Sequence, residues 1–157
     1  MVDSNDLRQL DFFNVFSGDH LREVGLISDK RHYKANQIIY TRGEKAGSLF
    51  LVCRGMVSLR DSKPGDPGSS LAFEICERGD LLGVAYFTEH QSYTLAAVCL
   101  EDTELIAIDA EKLHDLCEAD PLLGYRLMKR IAQIYFIRYE TAKRELGFPV
   151  ANIPFGK

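Results

Sequence analysis

Short strand-like segments separated by turns fill residues 31–109, and this spacing limits the fold more than any other feature of the chain. In residues 71–76, for example, Leu71, Phe73 and Ile75 alternate with their neighbours at the period of a β-strand. About eight strands at this spacing favour a sandwich, a barrel or a jelly roll. The predicted strands are residues 31–33, 37–40, 48–53, 56–60, 71–76, 80–82, 94–100 and 104–109. Residues 62–69, with two prolines and two glycines, predict an exposed hairpin loop.

Helical patterns flank this strand-rich region. Residues 19–27 carry apolar side chains at helical spacing, and residues 110–118 predict a short helix. Asp120 as N-cap and Pro121 at the first helical position then begin a long helix that extends to about residue 146. The chain is therefore predicted to be mainly β with flanking helices (α+β): an eight-stranded antiparallel β-roll or jelly roll with N-terminal helices and a long C-terminal helix. The predicted boundaries within one domain, residues 1–157, are 1–30 for the N-terminal helices, 31–109 for the roll, 110–146 for the C-terminal helices and 147–157 for a tail.

Composition excludes several classes of function. The 157 residues are 46% hydrophobic and 27% charged with a net charge of -4, which is typical of a soluble globular domain and gives no general attraction to nucleic acid. No signal peptide or membrane span is predicted, so we expect a cytoplasmic protein without membrane contact. The four cysteines and four histidines are scattered, so no metal or other cofactor is expected. Without a nucleophile or phosphate-loop motif, we expect no enzymatic activity.

The long predicted helix is apolar around most of its circumference. A helix that lies on one sheet needs only one apolar stripe, so a helix of this kind must also cover a second surface. Complete burial in its own domain is the alternative, but a chain of this size rarely encloses such a long helix. We therefore predict a homodimer through this helix, with an interface formed by Leu127, Ile131, Ile134, Tyr135, Ile137 and Arg138.

The segment RHYKANQIIYTRGEKAGSLFLVCRGMVSL, residues 31–59, carries Gly43, Gly47 and Gly55 at strand-to-strand turns. Together with the later ELIAID strand and the helices that follow, it resembles the cyclic nucleotide-binding domain of the catabolite activator (Crp/Fnr) superfamily. The resemblance covers about residues 10–146. It implies a β-roll with a ligand inside, a long dimerisation helix and a regulatory role in signal transduction.

The segment that would bind the phosphate, residues 79–98, is called the cassette below. It departs from the pattern of ligand-binding members. Those members have a Gly-Glu pair and, about ten residues later, an Arg; the Glu contacts the ribose and the Arg contacts the cyclic phosphate. Here Val84 stands at the Glu position, and the Arg position falls on Tyr93 or Thr94. No Lys or Arg occurs from residue 79 to residue 111, and a buried phosphate without a cation is costly. We therefore expect weak or no binding of cAMP and cGMP.

Three interpretations of the function remain open at this point. The apolar cassette suits an unidentified apolar or aromatic small molecule, or its side chains fill the pocket and leave a ligand-free dimeric scaffold. The chain is alternatively the sensor part of a Crp/Fnr-type transcription regulator. Too few residues follow residue 146 for a helix-turn-helix, so we expect no DNA binding by this chain alone, and any protein partner is unknown. The candidate ligand-binding residues are Leu82, Gly83, Val84, Ala85, Tyr86, Tyr93 and Thr94.

Overall fold

The structure is a computed structural model that describes residues 1–63 and 66–145. In the described part, short N-terminal helices precede eight strands, and two further helices follow them. The helices are α1 (Ser4–Arg8), a 3₁₀ helix (Asp11–Val15), α2 (Gly18–Leu26), a 3₁₀ helix (Val84–Phe87), α3 (Ala110–Ala119) and α4 (Pro121–Glu145). The strands are β1 (Ser28–Tyr33), β2 (Ile38–Tyr40), β3 (Ser48–Arg54), β4 (Val57–Lys63), β5 (Asp66–Cys76), β6 (Leu81–Leu82), β7 (Ala96–Cys99) and β8 (Thr103–Asp109).

The strands form two four-stranded antiparallel sheets. The first sheet has the order β1-β8-β3-β6, and the second has the order β2-β7-β4-β5. Both are antiparallel throughout, and the chain passes between them several times, as in a jelly roll. The predicted fold class, an eight-stranded antiparallel roll with flanking helices, is confirmed.

Two hydrophobic cores lie on opposite faces of the first sheet. Along β3, Leu49 and Leu51 pack against the helices, whereas Phe50 and Val52 face the interior of the roll. Because this sheet is covered on both faces, β3 reads as a nearly continuous apolar run rather than an alternating one. The roll interior, which is where a ligand would lie, is therefore bounded on one side by the mostly buried strands β3 and β8.

The hairpin between β4 and β5 is longer than predicted. The strands continue to Lys63 and resume at Asp66, so most of the predicted loop at residues 62–69 belongs to strands β4 and β5, although the register there is irregular and pairs only Lys63 with Asp66. Pro67 is tolerated there because β5 is an edge strand of its sheet. The predicted loop tip at residues 64 and 65, and the predicted exposure of the side chains around it, lie outside the described residues.

Strand β5 has the predicted period but buries the less apolar of its two faces. Cys76 is buried and Glu74 is half-buried, whereas Phe73 is 63% exposed and Ile75 is 42% exposed. The pairing with β4 is irregular at Phe73, where the register shifts from Ala72 to Glu74. This edge strand therefore presents apolar side chains to the outside.

Helix α4 begins as the sequence predicts. The Asp120 carboxylate accepts hydrogen bonds from the backbone N–H groups of Leu122 and Leu123 at 3.0 and 3.2 Å. Its first turns bury Leu123 and Leu127 against the N-terminal helices and the outer face of the first sheet. No helix in the described ranges combines the length and the apolar character needed to cross a membrane.

Candidate functional site

The cassette is built on a left-handed turn between β6 and the short 3₁₀ helix. Gly83 has φ +81°, and a Cβ there would approach the Ser48 carbonyl oxygen to 3.1 Å and Tyr93 Cε1 to 3.2 Å. Both the backbone conformation and the close packing therefore require glycine. The four-residue helix Val84–Phe87 that follows is a single 3₁₀ turn, shorter than the helix expected from the sequence and too short to act as an anion site by itself.

Tyr93, one of the two residues at the expected position of the phosphate-binding Arg, lies inside the roll. Its ring stacks on Tyr40 with 3.8 Å between centroids and 15° between planes, and Tyr40 stacks in turn on Phe50 at 5.8 Å. The Tyr93 hydroxyl donates to the Ser48 carbonyl oxygen at 2.8 Å and accepts from the Ser48 N–H at 3.2 Å. Burial raises the pKa of Tyr93, so the hydroxyl stays neutral. These three rings form an aromatic column that occupies the roll interior.

A cavity of about 140 Å³ remains beside the aromatic column. Of the predicted ligand residues, Gly83, Val84, Ala85, Tyr93 and Thr94 line it. The other two do not: Leu82 is fully buried in the roll core, and the Tyr86 ring packs against Phe87 and His114. The lining residues that the sequence analysis did not assign to the pocket are Tyr40, Leu59, Thr88, Leu95 and Tyr135.

No charged side chain lines this cavity in the described part of the chain. His90, the one titratable cation candidate within the cassette, is exposed in a turn away from it. Arg31 is the nearest guanidinium to the aromatic column, with its carbon 5.7 Å from the Phe50 ring centroid. The sequence analysis did not associate Arg31 with the site, because Arg31 is far from the cassette along the chain. Arg31 lies on β1 opposite Leu105, so both side chains project from the same face of the first sheet.

Helix α4 closes one side of the roll through Tyr135 and Arg138. Tyr135 lines the cavity, and the Arg138 guanidinium lies 5.1 Å from its ring centroid. Arg138 Nε lies 2.9 Å from the Glu74 carboxylate, and Arg138 Nη2 donates to the Leu81 carbonyl oxygen. Burial raises the pKa of Glu74, and the charge of Arg138 opposes that rise. One arginine thus ties α4 to both β5 and the cassette strand β6.

The predicted interface residues fall on two sides of α4. Leu127 is buried within the chain, Ile131 and Ile134 pack on the same core, and Arg138 is paired with Glu74. The other two, Tyr135 and Ile137, are 41% and 64% exposed. The interface itself stays a prediction.

A second apolar stripe, which we call the α4 stripe, is exposed along the helix, and it shares Tyr135 with the cavity wall. It consists of Tyr125, Met128, Ala132, Tyr135 and Tyr139, all exposed and spaced at alternating intervals of three and four residues.

Comparison with known proteins assigns the chain to a family. The sequence model described as "Cyclic nucleotide-binding domain" matches residues 30–120, so the chain belongs to that family. The resemblance to Crp/Fnr-type regulators is confirmed. The expectation that this domain is not an enzyme agrees with the family, because Crp/Fnr-type regulators are non-enzymatic, whereas a regulatory role of this chain stays a proposal.

Two relatives illustrate the range of the family. The "Anaerobic regulatory protein" of Bacillus subtilis is 29% identical over 117 residues, which is 74% of this chain and 48% of that protein. The "Cyclic AMP receptor protein" of Thermus thermophilus is 29% identical over 132 residues, which is 79% of this chain and 60% of that protein. The chain therefore spans about half the length of these relatives.

Solved structures agree on the fold. A putative cyclic nucleotide-binding protein from Geobacter metallireducens superimposes with a TM-score of 0.78 at 24% identity, covering 88% of this chain and 99% of the other. The Thermus thermophilus catabolite activator protein superimposes with a TM-score of 0.66 at 25% identity, covering 86% of this chain and 61% of the other.

Proposed function

We propose that this domain is a dimeric, cytoplasmic regulatory module of the Crp/Fnr type that does not depend on cAMP or cGMP. Residues 1–157 would form a single domain. This domain would transmit its signal through α4, which Arg138 connects to the cassette. The observation that carries the proposal is the ring of Tyr93, one of the two residues at the expected position of the phosphate-binding arginine, which stacks on Tyr40 inside the roll.

The size of the remaining cavity supports this proposal. Pockets for small molecules and cofactors usually enclose about 300–1,000 Å³. The cavity beside the aromatic column has about 140 Å³, so a nucleotide would have to displace buried aromatic rings in order to enter. Tyr93 and Tyr40 are 6% and 5% exposed, and their displacement would expose apolar surface to water.

The chemistry of the lining residues points in the same direction. Loss of a charge-assisted hydrogen bond to phosphate reduces the free energy of binding by about 1.5–3 kcal/mol. Loss of the hydrogen bond to ribose reduces it by a similar amount. Two such losses weaken affinity by roughly a hundredfold to ten-thousandfold. Arg31 lies beside the Phe50 ring of the aromatic column and does not line the cavity, so it does not supply the missing cation there.

A rescue experiment tests this explanation. The double variants Val84→Glu with Tyr93→Arg, and Val84→Glu with Thr94→Arg, each restore the family pair, but only the first also removes the Tyr93 ring. We expect the first to gain cAMP-dependent thermal stabilisation and the second to gain none, since its pocket stays filled. Equal stabilisation of both variants would show that the missing charges, and not the ring, prevent binding. No gain in either would show that a further barrier closes the site.

A small uncharged ligand is a second candidate, because the cavity is lined by Leu59, Val84, Ala85 and Leu95 together with aromatic rings. Apolar cavities of about 150 Å³ hold a molecule the size of benzene. Thermal shift with phenol, indole and small aromatic acids tests this interpretation. A ligand present at a hundred times its dissociation constant adds about 2.7 kcal/mol of stability. The absence of any shift would favour the ligand-free scaffold.

Dimerisation is proposed through the α4 stripe. Spacings that alternate between three and four residues are the heptad pattern of a helix pair, with Tyr125, Ala132 and Tyr139 at one core position and Met128 and Tyr135 at the other. Because the opposite side of α4 already packs on the domain, both surfaces of the helix would then be covered. Tyr135 would belong to the pocket wall and to the interface at once.

The role of a whole protein is a separate proposal, since the chain spans about half of its relatives. We propose that this domain does not bind DNA by itself, because its net charge of -4 gives no attraction to phosphates. Electrophoretic mobility shift with random duplex DNA tests this. Salt-dependent binding of the isolated chain would contradict it.

A further inference from the structure

A groove of about 540 Å³ separates the C-terminal half of α4 from strand β5, and nothing in the proposed sensor function uses it. Phe73, Ile75 and Ile137 line it and are 63%, 42% and 64% exposed. Clusters of exposed large apolar side chains are uncommon on a monomer surface and usually mark a contact site. We call this feature the β5–α4 groove.

The groove lies along the backbone edge of β5. Consecutive side chains of a strand point to opposite faces of the sheet. Nevertheless Glu74 and Ile75, which are adjacent in the strand, both line the groove, as do Ala72 and Phe73 before them. The pairing is irregular at Phe73, but Glu74 and Ile75 follow that irregularity, so the cavity touches both faces of this end strand and reaches its free edge.

That edge has no strand partner in the described residues. β5 ends the sheet order β2-β7-β4-β5, and it pairs only with β4. An edge strand presents alternate N–H and C=O groups that a further strand can pair with, and proteins usually cover or blunt such edges. Here the edge faces an apolar groove instead, with α4 as the opposite wall.

Charge restricts what would fit. The charged side chains that line the groove are Glu74, Asp80, Arg138 and Glu145. Arg138 is already paired with Glu74. Asp80 Oδ2 accepts a hydrogen bond from the Glu77 N–H at 2.8 Å, and the negative charges of Asp80 and Glu145 remain without a cation in the groove lining apart from Arg138, so a basic side chain complements them.

We propose that the β5–α4 groove binds an extended segment of a partner protein, which adds to β5 as an antiparallel or parallel strand. Main-chain hydrogen bonds to β5 would provide affinity, and alternate side chains would provide specificity. Apolar side chains of the segment would pack on Ile75 and Ile137, and lysine or arginine side chains would face Asp80 and Glu145. Because the α4 stripe lies on another side of the helix, this binding is compatible with the proposed dimer.

Fluorescence anisotropy with a short labelled peptide that alternates lysine with isoleucine or valine tests the proposal on the full chain. Two control peptides accompany it: one with glutamate in place of lysine, and one with methylated backbone nitrogens at alternate positions. We expect the lysine peptide to bind and both controls to bind at least about tenfold more weakly.

Matched protein variants locate the site. Ile137→Asp should weaken binding by about tenfold or more, whereas Leu26→Asp, at a site of 63% exposure in α2, should not change it. Both sites are exposed, so both variants should fold, which a cooperative denaturation curve checks.

Absence of binding by the lysine peptide overturns the proposal. Equal binding of the N-methylated peptide overturns strand addition, and equal binding of the glutamate peptide overturns the charge assignment. If Ile137→Asp lowers the oligomeric state of the unliganded protein in sedimentation, the groove belongs to a second copy of the chain and the partner proposal is wrong.

Discussion

Replacement of Arg138 by methionine is the most informative test of how α4 is held on the roll. In the wild-type domain its guanidinium contacts the Glu74 carboxylate at 2.9 Å and also donates to the Leu81 carbonyl oxygen. The two side chains of the ion pair are 17% and 29% exposed. Methionine keeps most of the apolar stem and removes every hydrogen bond, so Glu74 is left without its cation.

The expected loss follows from the burial of the pair. Removal of one partner of a fully buried ion pair costs about 3–5 kcal/mol, because the remaining charge is desolvated and unpaired. Water still reaches part of both side chains here, so we expect a smaller loss of about 2–3 kcal/mol in the free energy of unfolding. The double variant with Glu74→Gln should recover about 1 kcal/mol or more of that loss, because it removes the unpaired charge.

Urea denaturation at one fixed protein concentration measures these differences, since the stability of a dimer depends on concentration. Lys143→Met is the matched control on the same helix. Its ion pair with Glu140 has side chains that are 55% and 34% exposed, and a pair this accessible to water contributes little to stability. If Arg138→Met lowers the free energy of unfolding no more than Lys143→Met does, the contacts of Arg138 with Glu74 and Leu81 do not hold α4 on the cassette in solution.

The pH dependence gives a second readout for the same variant. Burial already raises the pKa of Glu74 above the ordinary value of 4.5, and loss of Arg138 raises it further. A carboxyl with a raised pKa in the folded state contributes stability at low pH, and that contribution is lost as the pH rises through the folded pKa. Arg138→Met should therefore lose more stability than the wild type between pH 4.5 and neutrality. A difference between the two proteins that does not change with pH would contradict this account.

Two further predictions concern the proposed dimer interface and the N-terminal cap of α4. Ala132→Glu places a charge in the centre of the α4 stripe and should raise the dimer dissociation constant by about a hundredfold or more in sedimentation equilibrium, whereas Gln133→Glu beside it should not; a wild-type monomer at micromolar concentration would refute the proposed dimer. At the start of α4, hydrogen bonds from His20 and Leu123 hold the pKa of Asp120 below its ordinary value of 3.8, so the stability it contributes at neutral pH is lost as the pH falls. Asp120→Asn keeps the helix cap and should flatten the loss of stability in acid, and an unchanged acid profile would show that this carboxylate does not contribute.

The sequence was sufficient to predict the roll, because strand period and turn residues are local signals. The start of α4 was equally accessible, since Asp120 and Pro121 are a local capping pattern that the structure confirms. The limits of the β4–β5 hairpin were not accessible, because Pro67 signals a break in most contexts and is accommodated only on an edge strand. Whether β5 is an edge strand depends on the order of strands in the sheet, which no local pattern contains.

The pocket was predicted only in part for a similar reason. Gly83, Val84, Ala85, Tyr93 and Thr94 were found because they are contiguous or follow the family spacing. Of the rest of the lining, Thr88 and Leu95 lie in the cassette itself, whereas β2, β4 and α4 contribute one residue each from distant parts of the chain. That the Tyr93 ring enters the roll and stacks on Tyr40 depends on the packing of both sheets, so the sequence indicated the missing charge but not the aromatic column.

The partition of α4 between two surfaces also required the structure. Its sequence is apolar on several sides, and from this we predicted that a second surface is covered, which stays a prediction. Leu127 and Ile131 pack on the domain, whereas Tyr125 and Tyr139 are exposed. The difference arises from the angle at which α4 leaves α3, and a helical periodicity alone does not contain that angle.

Isothermal titration of the unmodified domain with cAMP, and then with cGMP, tests the central claim most directly. The account predicts no measurable heat of binding, or a dissociation constant of about 1 mM or weaker, because the aromatic column occupies the roll interior and no charged side chain among the described residues lines the remaining cavity. A dissociation constant of about 10 μM or tighter would contradict it. Such a result would mean that Tyr93 and Tyr40 separate to admit the nucleotide.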